Sequence, residues 1–306
     1  MLRRIASATA VAALLVGGLT ACSTSQNTAD DCEAVLQPGV LSDGAEVTGA
    51  FGEQPSVKVP KGLTISTTQR TIDASDAEAG GERADEGTLV GIDMAFFDAS
   101  TGESLYEGAG FQGGPHEFLL VSADQANPLS EAVRCAAPGD RVVLGLAPND
   151  AMQLVGQIGG TPGESMVGVL DVVSVSELSA QGKDRALPAG FPSVVTNDEG
   201  RPGVVLPPNA APRGTTSAVR IEGTGPEVTA DQNVIAQVLE VGWDGTELNN
   251  TWTSGPTALQ STDQIPATGN TFREALTGKR IGSQIVVIEN DGAEARVVVV
   301  DILGVS

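Results

Sequence analysis

Apolar positions along this chain come in short β-branched bursts, not in a 3.6-residue rhythm. The clearest runs are 89–97, Arg141–Leu146, 166–175, 234–241, 284–288 and Ala295–Val305, each bounded by Gly, Asn, Asp or Pro. Runs of this length, rich in Val, Ile and Leu, predict strands. Ala295–Val305 is apolar and β-branched over most of its length, which predicts a buried strand. Two short segments predict helices, 128–135 and Thr271–Leu276. Asn127 precedes the first as a candidate N-cap, with Pro128 at the first helical position. One short helix among several mostly sequential strands predicts an α+β fold with an antiparallel sheet.

The elements occur twice. Pro55-Ser56-Val57-Lys58-Val59-Pro60 is similar to Pro202-Gly203-Val204-Val205-Leu206-Pro207, and Arg70-Thr71-Ile72-Asp73 to Val219-Arg220-Ile221-Glu222. An offset of 143 lays Thr101-Gly102-Glu103-Ser104-Leu105 on Asp244-Gly245-Thr246-Glu247-Leu248. The same offset aligns Asn127, Glu131, Ala132 and Gly139 with Asn270, Glu274, Ala275 and Gly282. Val169-Leu170-Asp171-Val172 then matches Val299-Val300-Asp301-Ile302 at an offset of 130, so the second copy lacks 13 residues between its last two strands. A period of this size is that of a domain, not of a solenoid repeat. The Pro- and Gly-rich stretch 181–214 reads as the linker between domains at 46–180 and 215–306.

The first apolar stretch, 5–19, is different in kind. It follows Arg3-Arg4, ends in Leu19-Thr20-Ala21-Cys22, and is short for a membrane-spanning helix. Basic start, apolar middle and small-residue exit are the pattern of a secretory signal, here 1–21. Leu-Thr-Ala-Cys resembles a bacterial lipobox, which implies that Cys22 is lipidated and becomes the first mature residue. Residues 22–45 begin polar and read as a flexible tether. The expected location is the extracytoplasmic face of the cell membrane, held by the lipid alone.

Composition narrows the chemistry. With 39 Asp+Glu against 17 Lys+Arg, a formal net charge of −22 makes nucleic acid a poor partner. His116 is the single histidine, which removes two-histidine chemistry; it follows Pro115 in a turn and reads as a surface residue. The acidic stretch 73–86 does not have the spacing of an EF-hand loop, and neither metal nor cofactor is expected. In an exported chain, Cys32 and Cys135 are an even remainder once Cys22 is assigned, which favours a disulfide closing a loop of about 100 residues. Two unpaired thiols, one of them buried, are the alternative.

The second copy resembles the FK506-binding-protein (FKBP) family of peptidyl-prolyl isomerases. The residues that carry the resemblance run in the family's order over 217–306. They are Gly223-Thr224-Gly225, Val228, Asp231, Trp243-Asp244-Gly245-Thr246, Thr251-Trp252-Thr253-Ser254-Gly255-Pro256, Ile265-Pro266, Phe272-Arg273-Glu274-Ala275-Leu276 and Ile281-Gly282-Ser283. The first copy inherits the fold through the repeat. Lipid-anchored proteins with two such domains are an actinobacterial type, and the resemblance extends to the lipobox. It implies two FKBP-like domains, each an antiparallel sheet wrapped on one short helix, after a signal peptide and tether. It implies a prolyl isomerase assisting the folding of exported proteins, with proline-containing segments of those polypeptides as partners. The rival is a catalytically degenerate peptide-binding or scaffold lipoprotein.

Such chemistry needs no nucleophile. The barrier to X-Pro rotation, ~18–20 kcal/mol, is set by amide resonance, and an apolar pocket lowers it by desolvating and twisting the amide. The resemblance places the family's strand Tyr at Val238, its Phe-Asp pair at Leu248-Asn249, a wall Phe at Thr257, its Ile at Ile265 and its Trp floor at Phe272, with Trp252 beside them. The flap falls in the missing 13 residues. In the first copy the flap length is kept (147–165), Met152 stands where a Tyr would be, Leu105-Tyr106 replace Phe-Asp, His116 replaces a Phe and Leu129 the floor. Both pockets lose aromatics and the Asp, so weak activity is expected. Leu248, Ile265 and Phe272 read equally as core of a barrel-like sheet, and Trp252 as structural.

Overall fold

A computed structural model describes residues 32–73, 82–123, 127–292 and 294–306. The expected signal peptide, Cys22, residues 22–31 of the expected tether and most of the acidic stretch lie outside the described residues. Within Cys32–Ser306, which forms one compact unit, β-strands dominate and every pairing between strands is antiparallel.

In chain order the strands are β1 (Glu46–Thr48), β2 (Ser56–Lys58), β3 (Gln69–Asp73), β4 (Thr88–Asp98), β5 (Ser104–Glu107) and β6 (Glu117–Leu120). Helix α1 (Pro128–Val133), β7 (Arg141–Leu146), the one-turn helices α2 (Pro148–Ala151) and α3 (Val155–Ile158), and β8 (Met166–Glu177) complete the first half. The second half holds β9 (Lys183–Asp184), β10 (Ser193–Thr196), β11 (Pro202–Val205), β12 (Gly214–Glu222), β13 (Val234–Gly242), β14 (Glu247–Asn250) and β15 (Thr257–Leu259). It closes with α4 (Ile265–Thr268), a 3-10 helix at Thr271–Leu276, β16 (Gln284–Asn290) and β17 (Ala295–Val305).

The two large sheets repeat one order. One runs β3-β7-β8-β4-β5 with β6 also on β4; the other runs β12-β16-β17-β13-β14 with β15 also on β13 and β9 added outside β12. Both offsets read from the sequence recur as the same backbone bonds. Gly139 N–H donates to Val172 and Val172 N–H to Asp140; in the second copy Gly282 N–H donates to Ile302 and Ile302 N–H to Ser283. Across the ladders, Arg141 faces Asp171 as Gln284 faces Asp301. The first strand of each sheet is the exception. Ile72 pairs Val142 and Val219 pairs Ile285, so Ile72 corresponds to Val219 and not to Ile221, and a bulge after Val219 shifts the register again by one residue.

Each sheet packs its short helix on one face. Asn127 caps α1 with a side-chain oxygen accepting from the Leu129 and Ser130 amides, and Pro128 presets its first turn. Asn270, the corresponding residue, makes no side-chain cap bond, and its helix is wound as 3-10. The other face of each sheet is covered by a two-stranded hairpin built from the chain that precedes it. Hairpin β1–β2 lays Val57 against Val143, Val167 and Val169. Hairpin β10–β11 sets Val194 and Val204 against Leu239, Val286, Val297 and Val299. The stretch read as a linker therefore carries structure: Leu187, Phe191 and Leu206 pack there too. Strand β9 pairs with β12, and the Ala180 amide donates to Asp301 Oδ2 at 2.8 Å.

Cys32 and Cys135 form the expected disulfide, with Cα atoms 5.7 Å apart. Cys135 follows α1 in the left-handed region (φ 67°), and the bond ties Cys32 to the end of the helix. Among the described residues no helix is long and apolar enough to cross a membrane.

Candidate functional site

Phe272 is the residue expected as the floor of the second copy. Phe272 is 1% exposed and lies against Val238, Leu259, Val298 and Val300, on the helix-covered face of the sheet. A side chain that the sequence reading missed sits on it. The guanidinium of Arg296 stands 5.8 Å from the Phe272 ring centroid, a cation–π distance. It is held there by Glu240 Oε2 and Glu289 Oε2, both at 2.7 Å, while its Nη2 also donates to Thr271 Oγ1 at 3.3 Å. Adjacent strands supply the three charges, since Arg296 pairs with Glu289 across β16–β17 and Glu240 with Val298 across β13–β17. Both carboxylates are largely buried, so the attraction works at low effective dielectric.

In the first copy the offsets assign the places of Glu289 and Arg296 to Leu146 and Met166, over Leu129, and strand pairing assigns that of Glu240 to Phe96, which faces Gly168 as Glu240 faces Val298. All three are at most 1% exposed and form one cluster with Leu129. Tyr106 packs on Phe96 with centroids 6.3 Å apart and donates to Glu117 Oε1 at 2.9 Å. Burial and then that carboxylate push the Tyr106 hydroxyl above its ordinary pKa. The flap, α2 and α3, adds Leu154, Val155 and Ile158 to the same cluster, whereas Met152 points outward, 58% exposed. His116 is not a free surface histidine. Strand β6 pairs Glu117 with Ile92 of β4, and this carries His116 Nδ1 to 2.5 Å from Asp93 Oδ1, a carboxylate 3% exposed. One fold thus fills the space above its floor in two ways, with apolar bulk in the first copy and an ion triad in the second.

Of the residues expected in the pocket, Val238 and Phe272 come together. Leu248 is 56% exposed on the edge strand β14. Asn249 lies beside it and donates from Nδ2 to Glu240 Oε1 at 3.2 Å, so it serves the ion triad. Ile265 is half-buried in α4, outside the Phe272 cluster. Trp252 is on the opposite face, packed with Val286, Val297 and Val299 beneath the β10–β11 hairpin, which is the structural role allowed for it. Alternation along β17 separates the two sets, Val298 and Val300 facing the floor and Val297 and Val299 the hairpin. The sequence held part of the signal for the triad: the offsets set Leu146 and Met166 against Glu289 and Arg296, whereas the match of Phe96 to Glu240 is seen only in the strand pairing. Beside the triad lies a cavity of about 690 Å³, lined among others by Trp243, Asp244, Leu248, Thr271, Glu289 and Arg296.

No family model matches the chain, and no curated protein matches it either. Solved structures do. The three FKBP domains of wheat FKBP73 match over 78% of this chain and 94% of that one, at 12% identity and a TM-score of 0.32. FkpA from Escherichia coli matches over 39% of this chain at 19% identity and a TM-score of 0.27, the match spanning 53% of its length. FKBP12 from Mycobacterium tuberculosis, a putative peptidyl-prolyl cis-trans isomerase, matches over 30% of this chain and 84% of that one, at 20% identity and a TM-score of 0.24. The solved folds to which this chain is similar are those of FKBP-type peptidyl-prolyl isomerases.

Proposed function

We propose that this protein is an exported, lipid-anchored FKBP-like protein that engages proline-containing segments of other exported polypeptides and isomerises them slowly. It consists of two FKBP-like units, the second taking in the hairpin segment that precedes β12. Cys22 is its lipidated residue, and the extracytoplasmic face of the membrane its location. The duplicated sheet-on-helix arrangement, with a floor residue under the same face in each copy, supports the family reading. The observation that carries the slow rate is Arg296 lying over Phe272 between two carboxylates. A proline ring reaches that aromatic face only by displacing an ion triad, and the developing twisted amide then meets charge where desolvation is needed. A purely binding role is the second reading, favoured by the apolar block Phe96–Leu146–Met166, which closes the first pocket.

A protease-free isomerisation assay on the mature chain tests the proposal. We expect a rate on X-Pro peptides at least about a hundredfold below that of an FKBP domain with an open aromatic pocket, equivalent to ~2.7 kcal/mol of transition-state stabilisation. Rates near that of the open pocket would show the triad to be no obstacle, and no rate above the uncatalysed one would leave only binding. For the anchor, fatty-acid labelling of whole cells should mark the wild-type chain and not Cys22→Ala; labelled alanine variant would remove the lipid assignment.

A further inference from the structure

The cavity beside the ion triad is built for a charged guest. Its lining includes Asp244, Glu289 and Glu294 against Arg296, and Arg296 is already neutralised by Glu240 and Glu289. Glu289 is 9% exposed, and its Oε2 is taken by Arg296, yet its Oε1 is buried with no donor among the described residues. A buried carboxylate oxygen without a donor is a costly arrangement, and a cationic donor relieves it. Asp244 is drawn below the usual carboxylate range, chiefly by the Thr246 amide and then its hydroxyl, and is fully charged at neutral pH. Between these charges is apolar surface. Leu248 is 56% exposed, and the Trp243 indole is fixed by Nε1 donating to the Asn209 carbonyl at 2.9 Å. Carboxylates around an aliphatic and aromatic platform suit a long side chain with an apolar stem and a cationic head. The net charge of −22 draws such chains in. Thr271, next to the floor residue Phe272, joins this cavity to the proline site.

We propose that the cavity lined by Trp243, Asp244, Leu248 and Glu289 is a subsite for a lysine or arginine side chain next to the proline of a bound polypeptide. This rests on the proline-binding reading above and narrows it to basic-residue–proline segments. The test is calorimetric titration of the full mature chain at low salt with four tetrapeptides, Ala-Lys-Pro-Phe, Ala-Leu-Pro-Phe, Ala-Glu-Pro-Phe and Ala-Lys-Ala-Phe. The lysine-proline peptide should bind at least fivefold more tightly than the leucine one and more tightly still than the glutamate one. Asp244→Asn should reduce that preference at least twofold while leaving leucine-peptide affinity unchanged, and Glu289→Gln should reduce the ratio of lysine- to leucine-peptide affinity at least twofold. Asp244 lies in a surface turn whose bonds asparagine can keep, so this variant remains informative if Glu289→Gln does not fold. Equal affinity for the lysine, leucine and glutamate peptides overturns the subsite and leaves the proline reading standing. Equal affinity for Ala-Lys-Ala-Phe and Ala-Lys-Pro-Phe keeps the subsite and removes the proline reading. Binding of none of the four overturns both.

Discussion

At the scale of single residues, the difference between the two copies comes down to three side chains. Glu240, Glu289 and Arg296 bind one another: Nε and Nη2 of Arg296 reach Glu289 Oε2, and Nη1 reaches Glu240 Oε2. Removing the cation alone leaves two carboxylates with little access to water, which costs far more than a surface pair is worth. Replacing all three by apolar residues of similar size removes the desolvation cost together with the attraction. We therefore expect Arg296→Met to lower unfolding free energy by about 2–4 kcal/mol in urea titrations. The triple change Glu240→Phe, Glu289→Leu, Arg296→Met, which copies the block of the first half, should recover most of that loss. A triple variant no more stable than Arg296→Met would show that the second sheet cannot accept apolar bulk there.

At the scale of elements, the strands were legible and the coverings were not. Arg141–Leu146 and Ala295–Val305 were read with the bounds that the structure shows, because long β-branched runs with both faces buried leave no competing period. The start of the first helix followed from Asn127 and Pro128, whereas its end, read at 135, falls at Val133. Hairpin β10–β11 was hidden because its strands have four residues each and its composition, rich in Pro and Gly, is that of a tether. Its apolar face is only Val194 and Val204, with Leu187, Phe191 and Leu206 outside the strands. The ion triad was hidden for another reason: charged residues in a strand read as its solvent side, and only the partner strands show that they meet. The covered face has a consequence for truncation. A fragment 215–306 would expose Leu239, Val286, Val297 and Val299, all at most 3% exposed in the whole chain. Fragment 180–306 keeps the hairpin on them. The longer fragment should therefore stay monomeric with a cooperative thermal transition, and the shorter should aggregate or lose cooperativity by light scattering and calorimetry. Equal behaviour of the two would show the hairpin to be dispensable.

At the scale of the whole molecule, one buried carboxylate in each sheet holds the chain that leads into it. Asp171 bonds Arg141 and receives the Gly52 amide; Asp301 receives Gln284 Nε2 and the Ala180 amide. Only the first has a cation in contact. Arg220 reaches Gln284, not the acid, and burial pushes Asp301 up to about 6. A folded-state pKa above the unfolded value of ~3.9 means that stability is fully present below that value and is lost as pH rises through about 6, by roughly 3 kcal/mol in all. Urea midpoints of residues 32–306 from pH 4 to 7 should fall relative to those of Asp301→Asn. Parallel profiles would show that Asp301 does not titrate in this window. The divergence of the copies also guards against mispairing. Two sheets with one strand order in one chain invite exchange of β7 for β16 while the chain is still finding its partners. Such a hybrid would set Glu289 against Met166 in an apolar interior, and Gln284 where Asp171 needs Arg141, so each strand carries a chemical label for the sheet in which it is at home.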